Sequence, residues 1–243
     1  LFMSVIANNI IAGAAGQGGA GPYEIQRSLR FNYPDTPSLS KTFSSAGNRK
    51  TWTWSGWVKR STLRPGGLFT TYTGSNNDGG YFNFEFNGSD KINIGGWFTG
   101  YLQTNRVFRD PSAWYHIVLA FDSTQSTQSD RIKLYVNGVQ ETSFGTSNYV
   151  SQNADLPINS ASNHNVGANA YYSNTDGKFD GYLANIHFID GVSGLTATDF
   201  GKFDSNNVWQ PKEYSGTYGT NGFHLDFSDP SDLGNDKAGS NNW

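Results

Sequence analysis

Residues 114–140 of the chain, WYHIVLAFDSTQSTQSDRIKLYVNGVQ, decide the fold. Apolar residues alternate with other residues in two runs that a polar loop joins, and the second run ends at Asn137-Gly138. The apolar positions are Ile117, Leu119 and Phe121 in the first run, and Ile132, Leu134 and Val136 in the second. Successive side chains of a β-strand point to opposite faces, so each run predicts a strand with one buried face. Asn-Gly supplies the positive φ angles of a tight hairpin turn, so the hairpin is expected to be scaffold.

The same alternation recurs along the chain. The predicted inward sets are Tyr23, Ile25, Leu29 and Phe31; Trp52, Trp54 and Val58, with Trp57 opposite; Phe82, Phe84 and Phe86; Ile92 and Ile94; Tyr182, Ala184, Ile186 and Phe188; and Phe223, Leu225 and Phe227. Turn dipeptides such as Asn87-Gly88 and Asp190-Gly191 punctuate these segments, which predicts an antiparallel sandwich or barrel. One helical turn is expected in LTATDFGKF, capped by a Thr, with Leu195, Phe200 and Phe203 packed inward.

Composition agrees with an all-β chain and excludes some functions. Of the 243 residues, 15% are charged and 29 are glycines, and the formal net charge is −3. A nucleic-acid interface needs a stripe of Lys and Arg, and the sequence contains none. Nucleic acid is therefore not an expected partner. No apolar run is long enough to span a membrane, so membrane insertion is not expected either. Cysteine is absent, so the fold cannot depend on a disulfide.

Residues 1–22 are apolar and then rich in Gly and Ala. The apolar positions are Val5, Ile6, Ile10 and Ile11. This stretch buries too little area to fold alone, yet it is too apolar for a solvated linker. It is either a disordered leader or an arm that becomes ordered against a neighbouring chain, and the second reading predicts an anchor for a homo-oligomer.

The opening hairpin resembles that of laminin-G-like, concanavalin A-like jelly-roll domains. Trp114, His116, IVLAFD and IKLYVNG match the family's pattern, although Tyr115 stands where many relatives have a His. FDGYLANIHFIDG followed by LTATDF resembles the family's late strand and short helix. The resemblance implies a two-sheet antiparallel jelly-roll sandwich at 23–204, after an extended arm at 1–22. A C-terminal extension at 205–243 is expected to place a strand near 223–228 that completes the sandwich.

The ends of the chain resemble virion-associated lectin-like proteins of tailed phages, especially marine ones. The matching segments are SVIANNIIAGAAGQGG, YEIQRSLRFN, SSAGNRKTWTWSGWVKRS and YSGTYGTNGFHLDFSDPSDLGND. This resemblance implies a non-enzymatic structural protein on the virion surface, with other copies and other virion proteins as partners. It is either a fibre or spike that attaches to host-surface glycans, or a capsid-decorating or assembly subunit without a glycan ligand.

Enzymatic readings are weaker. Glucanases of this fold use a Glu-x-Asp-x-x-Glu strand because two carboxylates must face the glycosidic bond. The four Glu residues stand far apart, at 24, 85, 141 and 213, so an endoglycanase is the least favoured function. GQGGAG at 16–21 has dinucleotide-loop spacing, but a Pro and a predicted strand follow it instead of a helix. His116 and His187 lie within predicted strands and are expected to be framework residues.

Two kinds of ligand site remain as hypotheses. Exposed aromatics beside polar loops can bind sugars, and the candidates are Tyr171, Tyr172, Trp97 and Tyr101. Loop oxygens can bind calcium, the one cofactor considered, and the candidates are Asn174, Asp176 and Asp180, with Asp229, Asp232 and Asp236 as a second group. Ordinary Asx-turn chemistry is the simpler explanation of both acidic segments.

Overall fold

A computed structural model of the chain describes residues 23–77, 79–96, 100–172 and 176–243. Strands dominate these ranges, with short 3-10 turns at Tyr33–Asp35, Gln128–Asp130 and Ala197–Asp199. The strands are β1 Leu29–Phe31, β2 Leu39–Thr42, β3 Thr51–Arg60, β4 Gly66–Gly67, β5 Phe69–Tyr72, β6 Tyr81–Phe86, β7 Ile92–Gly95, β8 Gly100–Thr104, β9 Tyr115–Asp122, β10 Ile132–Val136, β11 Val139–Glu141, β12 Phe144–Ser147, β13 Asn163–Val166, β14 Gly181–Asp190, β15 Gly201–Phe203, β16 Trp209–Pro211 and β17 Phe223–Leu225.

Two antiparallel sheets form the sandwich, so the predicted fold class is confirmed. The first sheet has the order β1-β14-β3-β9-β10-β11, with β17 also paired to β14. The second sheet has the order β12-β8-β7-β6-β5-β13-β2, with β4 also paired to β6. β15 and β16 form a separate hairpin. Within the described ranges no helix is both long and apolar enough to cross a bilayer.

The core lies between the two sheets. The opening hairpin pairs as predicted, with Leu134 opposite Leu119 and Val136 opposite Ile117. Asn137 and Gly138 have φ angles of 49° and 82°. A two-residue hairpin turn of this type requires positive φ at both central residues. All six predicted apolar positions of the hairpin are buried in the main core, together with the inward sets of β3, β6, β7 and β17.

A β-bulge in β14 reverses part of the predicted phase. Pairing with β3 shifts between Ala184 and His187, and Asn185 has a φ of 50°. Leu183 therefore enters the main core, which the alternation had assigned to Tyr182 and Ala184. Ile186 and Phe188 are in the core as predicted, because the extra residue precedes them.

Three local predictions have mixed outcomes. The helical turn is present, and Thr196 caps it in a capping box with Asp199. Phe200 packs inward, but Phe203 is 46% exposed, so its predicted burial is wrong. The strand expected to begin at Tyr23 begins at Leu29, because the preceding residues pair with no neighbour in a ladder.

Residues 192–218 fold back over the outer face of the first sheet. They form a second apolar cluster on that face, which contains Val118, Tyr135, Ile189, Ala197, Phe200 and Trp209. We call this outer face of the first sheet the covered face. β17, within the predicted 223–228 segment, pairs with β14, and Phe223, Leu225 and Phe227 pack into the main core.

Candidate functional site

The outer face of the second sheet carries polar and aromatic side chains instead of an apolar cover. β6 places Phe82, Phe84 and Phe86 in the core, so its intervening residues Tyr81, Asn83 and Glu85 point outward. Asn93 of β7 pairs with Glu85 across the sheet. Asn169, in the segment after β13, lies above them and reaches Glu85. We call Asn83, Glu85, Asn93 and Asn169 the polar cluster.

Glu85 is the acceptor at the centre of the polar cluster. Asn83 Nδ2 donates to Glu85 Oε1 at 2.8 Å, and Asn169 Nδ2 donates to Oε2 at 2.9 Å. Burial raises the pKa of Glu85, and the hydrogen bonds from Asn169, Asn83 and Asn93 oppose that rise. Asn83 is 6% exposed, and among the described residues its Oδ1 has no hydrogen-bond partner. The cluster therefore contains a carboxylate held by amides and a further unpaired carbonyl oxygen.

Four tyrosines adjoin the polar cluster and form what we call the tyrosine cluster: Tyr72, Tyr81, Tyr171 and Tyr172. Tyr171 lies at ring-centroid distances of 5.3 Å from Tyr72, 6.1 Å from Tyr81 and 5.2 Å from Tyr172. Asn169 Nδ2 also lies 2.6 Å from the hydroxyl of Tyr81, which ties the two clusters together. Burial raises the pKa of Tyr81, so its hydroxyl stays protonated. Tyr171 and Tyr172 are 40% and 42% exposed and present aromatic surface to solvent.

A groove of about 520 Å³ continues from the tyrosine cluster at Tyr72. The remaining lining residues are Arg49, Thr73, Gly79, Ser160, Ala161, Ser162 and Asn163. Its wall at 160–163 is anchored by the preceding residue, Asn159, which is fully buried. Asn159 Nδ2 donates to Asp190 Oδ1 at 2.6 Å, and its backbone N–H donates to His164 Nε2 at 3.0 Å. This end of the groove is therefore set by a buried hydrogen-bond network.

The predicted sugar-binding residues separate in the structure. Tyr171 and Tyr172 lie together and exposed, as a sugar platform needs. Tyr101 is only 6% exposed and packs in the main core, so it cannot stack on a ligand and that candidate is wrong. Trp97 lies outside the described residues, as do the predicted anchoring residues Val5, Ile6, Ile10 and Ile11.

The predicted calcium ligands do not form a set in the described ranges. Asp180 is buried, its Oδ1 lies 2.7 Å from Arg30 Nη1, and its Oδ2 accepts from Thr62 Oγ1 at 2.7 Å. Asp176 is exposed, and Asn174 lies outside the described residues. No cluster of three or more acidic, His or Cys side chains suited to a metal occurs among the residues described. The carboxylate of Asp180 is thus paired with Arg30. Calcium binding stays a prediction.

The second acidic segment shows ordinary turn chemistry. Asp229 Oδ1 accepts from the backbone N–H and the hydroxyl of Ser231. Asp236 accepts from the backbone N–H groups of His224, Ala238 and Asn241. The bonds from Ser231 and Ala238 are the Asx turns that the sequence favoured over a metal site, and those from His224 and Asn241 tie Asp236 to neighbouring segments.

The histidines of the covered face are framework residues, as predicted. Trp209 Nε1 donates to His116 Nδ1 at 3.0 Å, so His116 Nε2 carries the proton and donates to Ser55 Oγ at 2.9 Å. Burial lowers the pKa of His116 to about 3 and that of His187 well below its usual value. Both rings are neutral at physiological pH and neither faces a ligand site.

Sequence reasoning found two members of the site and missed the rest. Tyr72, Tyr81 and the polar cluster were not proposed. Glu85 and Asn169 are 84 residues apart and meet only through the pairing order of the sheet. One signal was present: polar residues alternate with phenylalanine in YFNFEF, which marks a strand face that is not part of the core.

Comparison with known proteins gives a family. A family model described as the concanavalin A-like lectin/glucanases superfamily matches residues 34–199. No match was found among curated proteins.

Solved structures with a similar fold are distant in sequence. A heptameric SAP-like pentraxin from Limulus polyphemus is 12% identical, with a TM-score of 0.48, over 68% of this chain and 77% of that one. The LG4-5 domains of the mouse laminin alpha1 chain are 13% identical, with a TM-score of 0.46, over 66% and 40%. The CBM40 of a Ruminococcus gnavus IT-sialidase, bound to alpha2,3 sialyllactose, is 15% identical, with a TM-score of 0.40, over 60% and 88%.

Proposed function

The chain belongs to the concanavalin A-like lectin/glucanases superfamily, and we propose that it is a carbohydrate-binding domain whose ligand stacks on Tyr171 and Tyr172. The observation that carries this proposal is the tyrosine cluster beside the polar cluster on the outer face of the second sheet. It is an aromatic surface next to fixed hydrogen-bonding groups, outside the core.

The chemistry of the two clusters suits a sugar. A pyranose ring has an apolar face of C–H groups and a rim of hydroxyls, and a tyrosine ring offers a flat apolar surface with a polar tip. Ligand sites combine such surfaces with a few polar groups that set orientation. Here Glu85 and Asn93 are partly exposed beside the tyrosines, and the groove with Ser160, Ser162 and Asn163 extends the surface. A chain of several sugars could lie along the tyrosines into that groove.

Binding without hydrolysis is the form of the proposal. Glycoside hydrolases of the common types place two carboxyl groups on either side of the scissile bond. Among the described contacts of the polar and tyrosine clusters, Glu85 supplies the single carboxylate. The described contacts of the two clusters therefore lack the second carboxyl group that hydrolysis of this kind needs.

Glycan-array binding of Tyr171→Ala and Tyr172→Ala tests the proposal. We expect the purified wild-type chain to bind at least one glycan, and each variant to lose roughly tenfold or more in affinity, since each removes a stacking surface. Phe203→Ala is the matched control, because Phe203 is an aromatic of similar exposure on the β15–β16 hairpin. Wild-type protein that binds no glycan, or equal losses in all three variants, would contradict the proposal.

We also propose that this domain is displayed on a phage virion as part of a fibre or spike. The support is the sequence resemblance of the chain's ends to tailed-phage lectin-like proteins, with other virion proteins as partners. In this scheme residues 1–22 anchor the chain and Val5, Ile6, Ile10 and Ile11 contact a neighbour. Antibody labelling of purified particles by electron microscopy tests the display. A chain lacking residues 1–21 that assembles as well as the full chain would contradict the anchor.

An assembly subunit without a glycan ligand is the second candidate. Its support is a set of exposed apolar side chains near Trp209: Val139 at 61%, Phe203 at 46% and Val208 at 51%. Trp209 packs over Gly138 and against Phe203, which brings these residues into one region. Sedimentation of the full chain distinguishes the candidates, because this role predicts an oligomer that Phe203→Ser and Val208→Ser weaken and Tyr172→Ala does not.

A further inference from the structure

We propose that the site selects uncharged glycans and rejects those that carry carboxylates or sulfates, because Glu85 places an unpaired negative charge beside the tyrosine cluster. This inference rests on the proposed glycan-binding function and adds the ligand class. Its determinant is Glu85, a residue with no assigned role in the sequence analysis.

The hydrogen bonds of Glu85 are those that an ionised carboxylate makes. Oε1 accepts from Asn83 and Oε2 accepts from Asn169, each at less than 3.0 Å. An ionised carboxylate accepts at both oxygens, whereas a protonated one must donate from one of them. Three amide side chains, including Asn93, hydrogen-bond to it. These amide donors favour the charged form and oppose the rise in pKa that burial causes.

No described cation neutralises this charge. The ion pairs in the described part of the chain are Arg30–Asp180, Arg60–Asp90, Arg106–Glu141, Arg109–Asp90 and Lys133–Asp130. None of them includes Glu85, whose described partners are neutral amides. Asn83 Oδ1, unpaired among the described residues, adds the negative end of a carbonyl dipole to the same place. The polar cluster thus carries a carboxylate that no described ion pair neutralises.

A negative potential in a partly buried site discriminates between ligands. Two like charges repel more strongly there than in bulk water, because the effective dielectric constant is lower. Sugar hydroxyls can donate to the carboxylate and gain from the same field. A glycan carboxylate or sulfate near Tyr171 would be repelled, whereas its uncharged counterpart would not.

A positively charged residue, Arg49, lines the groove that continues from the site. Arg49 lines the groove with Tyr72, but its Nε donates to the carbonyl of Leu156 at 2.6 Å and its Nη2 to that of Asp155 at 3.4 Å. The guanidinium is thus directed to the backbone of the 155–156 segment. The variant Arg49→Gln removes this charge, so any attraction of Arg49 for acidic sugars can be measured apart from the effect of Glu85.

Glycan arrays printed with matched pairs test the selectivity. Each pair shares a backbone and differs in charge, such as methyl-esterified and free polygalacturonate, or lactose and sialyllactose. We expect the wild-type chain to bind only uncharged members, and Glu85→Gln to bind the acidic member of a recognised pair about tenfold better. Glu213→Gln is the control, because it removes the same charge from an exposed position outside both clusters.

A measurement on the wild-type chain covers the case in which Glu85→Gln does not fold. Raising the salt concentration from about 0.02 M to about 0.5 M should reduce the difference in affinity between the two glycans of a pair, because salt screens the repulsion. Equal binding of acidic and uncharged partners at low salt, or the same gain in Glu213→Gln as in Glu85→Gln, would overturn the selectivity alone. Acidic binding that Arg49→Gln abolishes would also overturn it. Failure to bind any glycan would overturn the proposed function together with it.

Discussion

The outer faces of the two sheets are built from similar strands but are completed differently. On the covered face, residues 192–218 pack over Val118, Tyr135 and Ile189 and enclose His116 and His187. On the second sheet, the outward residues of β6 meet amides and tyrosines, and two tyrosines remain about 40% exposed. Both faces contain polar and aromatic side chains, so residue type alone does not show which face is available to a ligand.

The two faces differ in the charge that they carry. On the covered face the buried rings are neutral: both ring nitrogens of His116 have protein partners, whereas His187 Nε2 and Trp57 Nε1 have none among the described residues. On the second sheet, Glu85 keeps an uncompensated charge and Asn83 an unpaired oxygen, among described residues. The carboxylate without a counter-charge, beside exposed tyrosines, is what the covered face lacks, and a fold usually tolerates such a cost for function, which is why we place the ligand there.

Acid should destabilise the chain through the buried histidines of the covered face, and this is the largest effect expected. His164, buried in the second sheet with a pKa lowered by burial to about 4, should add to it. The pKa of His116 is about 3 and that of His187 lies well below 6.5 in the native chain, whereas both unfolded residues titrate near 6.5. Above pH 6.5 both states are neutral. Below it only the unfolded chain gains protons, so stability falls by roughly 1.4 kcal/mol per pH unit for each histidine. Urea unfolding at steps from pH 7 to pH 4.5 measures this slope.

His116→Gln is the matching variant, because a glutamine can still accept from Trp209 and donate to Ser55. This variant should reduce the slope of the free energy of unfolding against pH by the share of one histidine, about 1.4 kcal/mol per pH unit. That reduction is expected whatever the effect of the variant on stability at pH 7. A stability that stays level down to pH 4.5 would show that the covered face opens easily, and the contrast between the faces would be lost.

The core between the sheets gives the next largest effect. Leu134 has no exposed surface, so Leu134→Ala should cost about 2–5 kcal/mol through lost contacts and a cavity. Leu63→Ala removes the same atoms from a side chain that is 46% exposed and should cost far less. Urea unfolding at pH 7 compares the pair, and similar losses would mean that the assigned strand phase is wrong.

The fold was largely predictable because alternation is a local signal. In β3, β6, β9 and β10 every second residue enters the core, as the sequence indicated. Prediction failed where a single residue altered the phase: Asn185, in a left-handed conformation, brings Leu183 inward in place of its neighbours. Asn-Ile does not mark a bulge in sequence as Asn-Gly marks a turn.

The site was only partly predictable because its members come from distant strands. Tyr171 and Tyr172 were recognisable as adjacent aromatics in a polar loop. Tyr101 had a similar setting, GGWFTGY, yet it is buried. Which aromatic is covered depends on the packing of other segments, and that information is not local. The role of Glu85 likewise depends on the segment that carries Asn169.

Trp209→Phe tests how much the hydrogen bond from Trp209 to His116 contributes to the stability of the covered face. It removes the donor to His116 Nδ1 and leaves a buried acceptor unpaired, which should cost about 1–3 kcal/mol beyond the smaller ring. Trp57→Phe is the control, since Trp57 also packs against His116 but its Nε1 has no described partner. Thermal unfolding at pH 7 compares them. If both lose the same stability, the hydrogen bond to His116 contributes nothing.

The smallest effect on stability is expected where binding should change most. Tyr172 is 42% exposed and packs mainly on Tyr171 and over Gly177, so Tyr172→Ala should alter the free energy of unfolding by only about 0.5 kcal/mol. The same variant should lose glycan affinity, because it removes half of the exposed aromatic pair. Phe203→Ala should likewise leave stability almost unchanged but keep the affinity. A loss of stability as large as that of Leu134→Ala would assign the tyrosine cluster to the core and remove the reason to place a ligand on the second sheet.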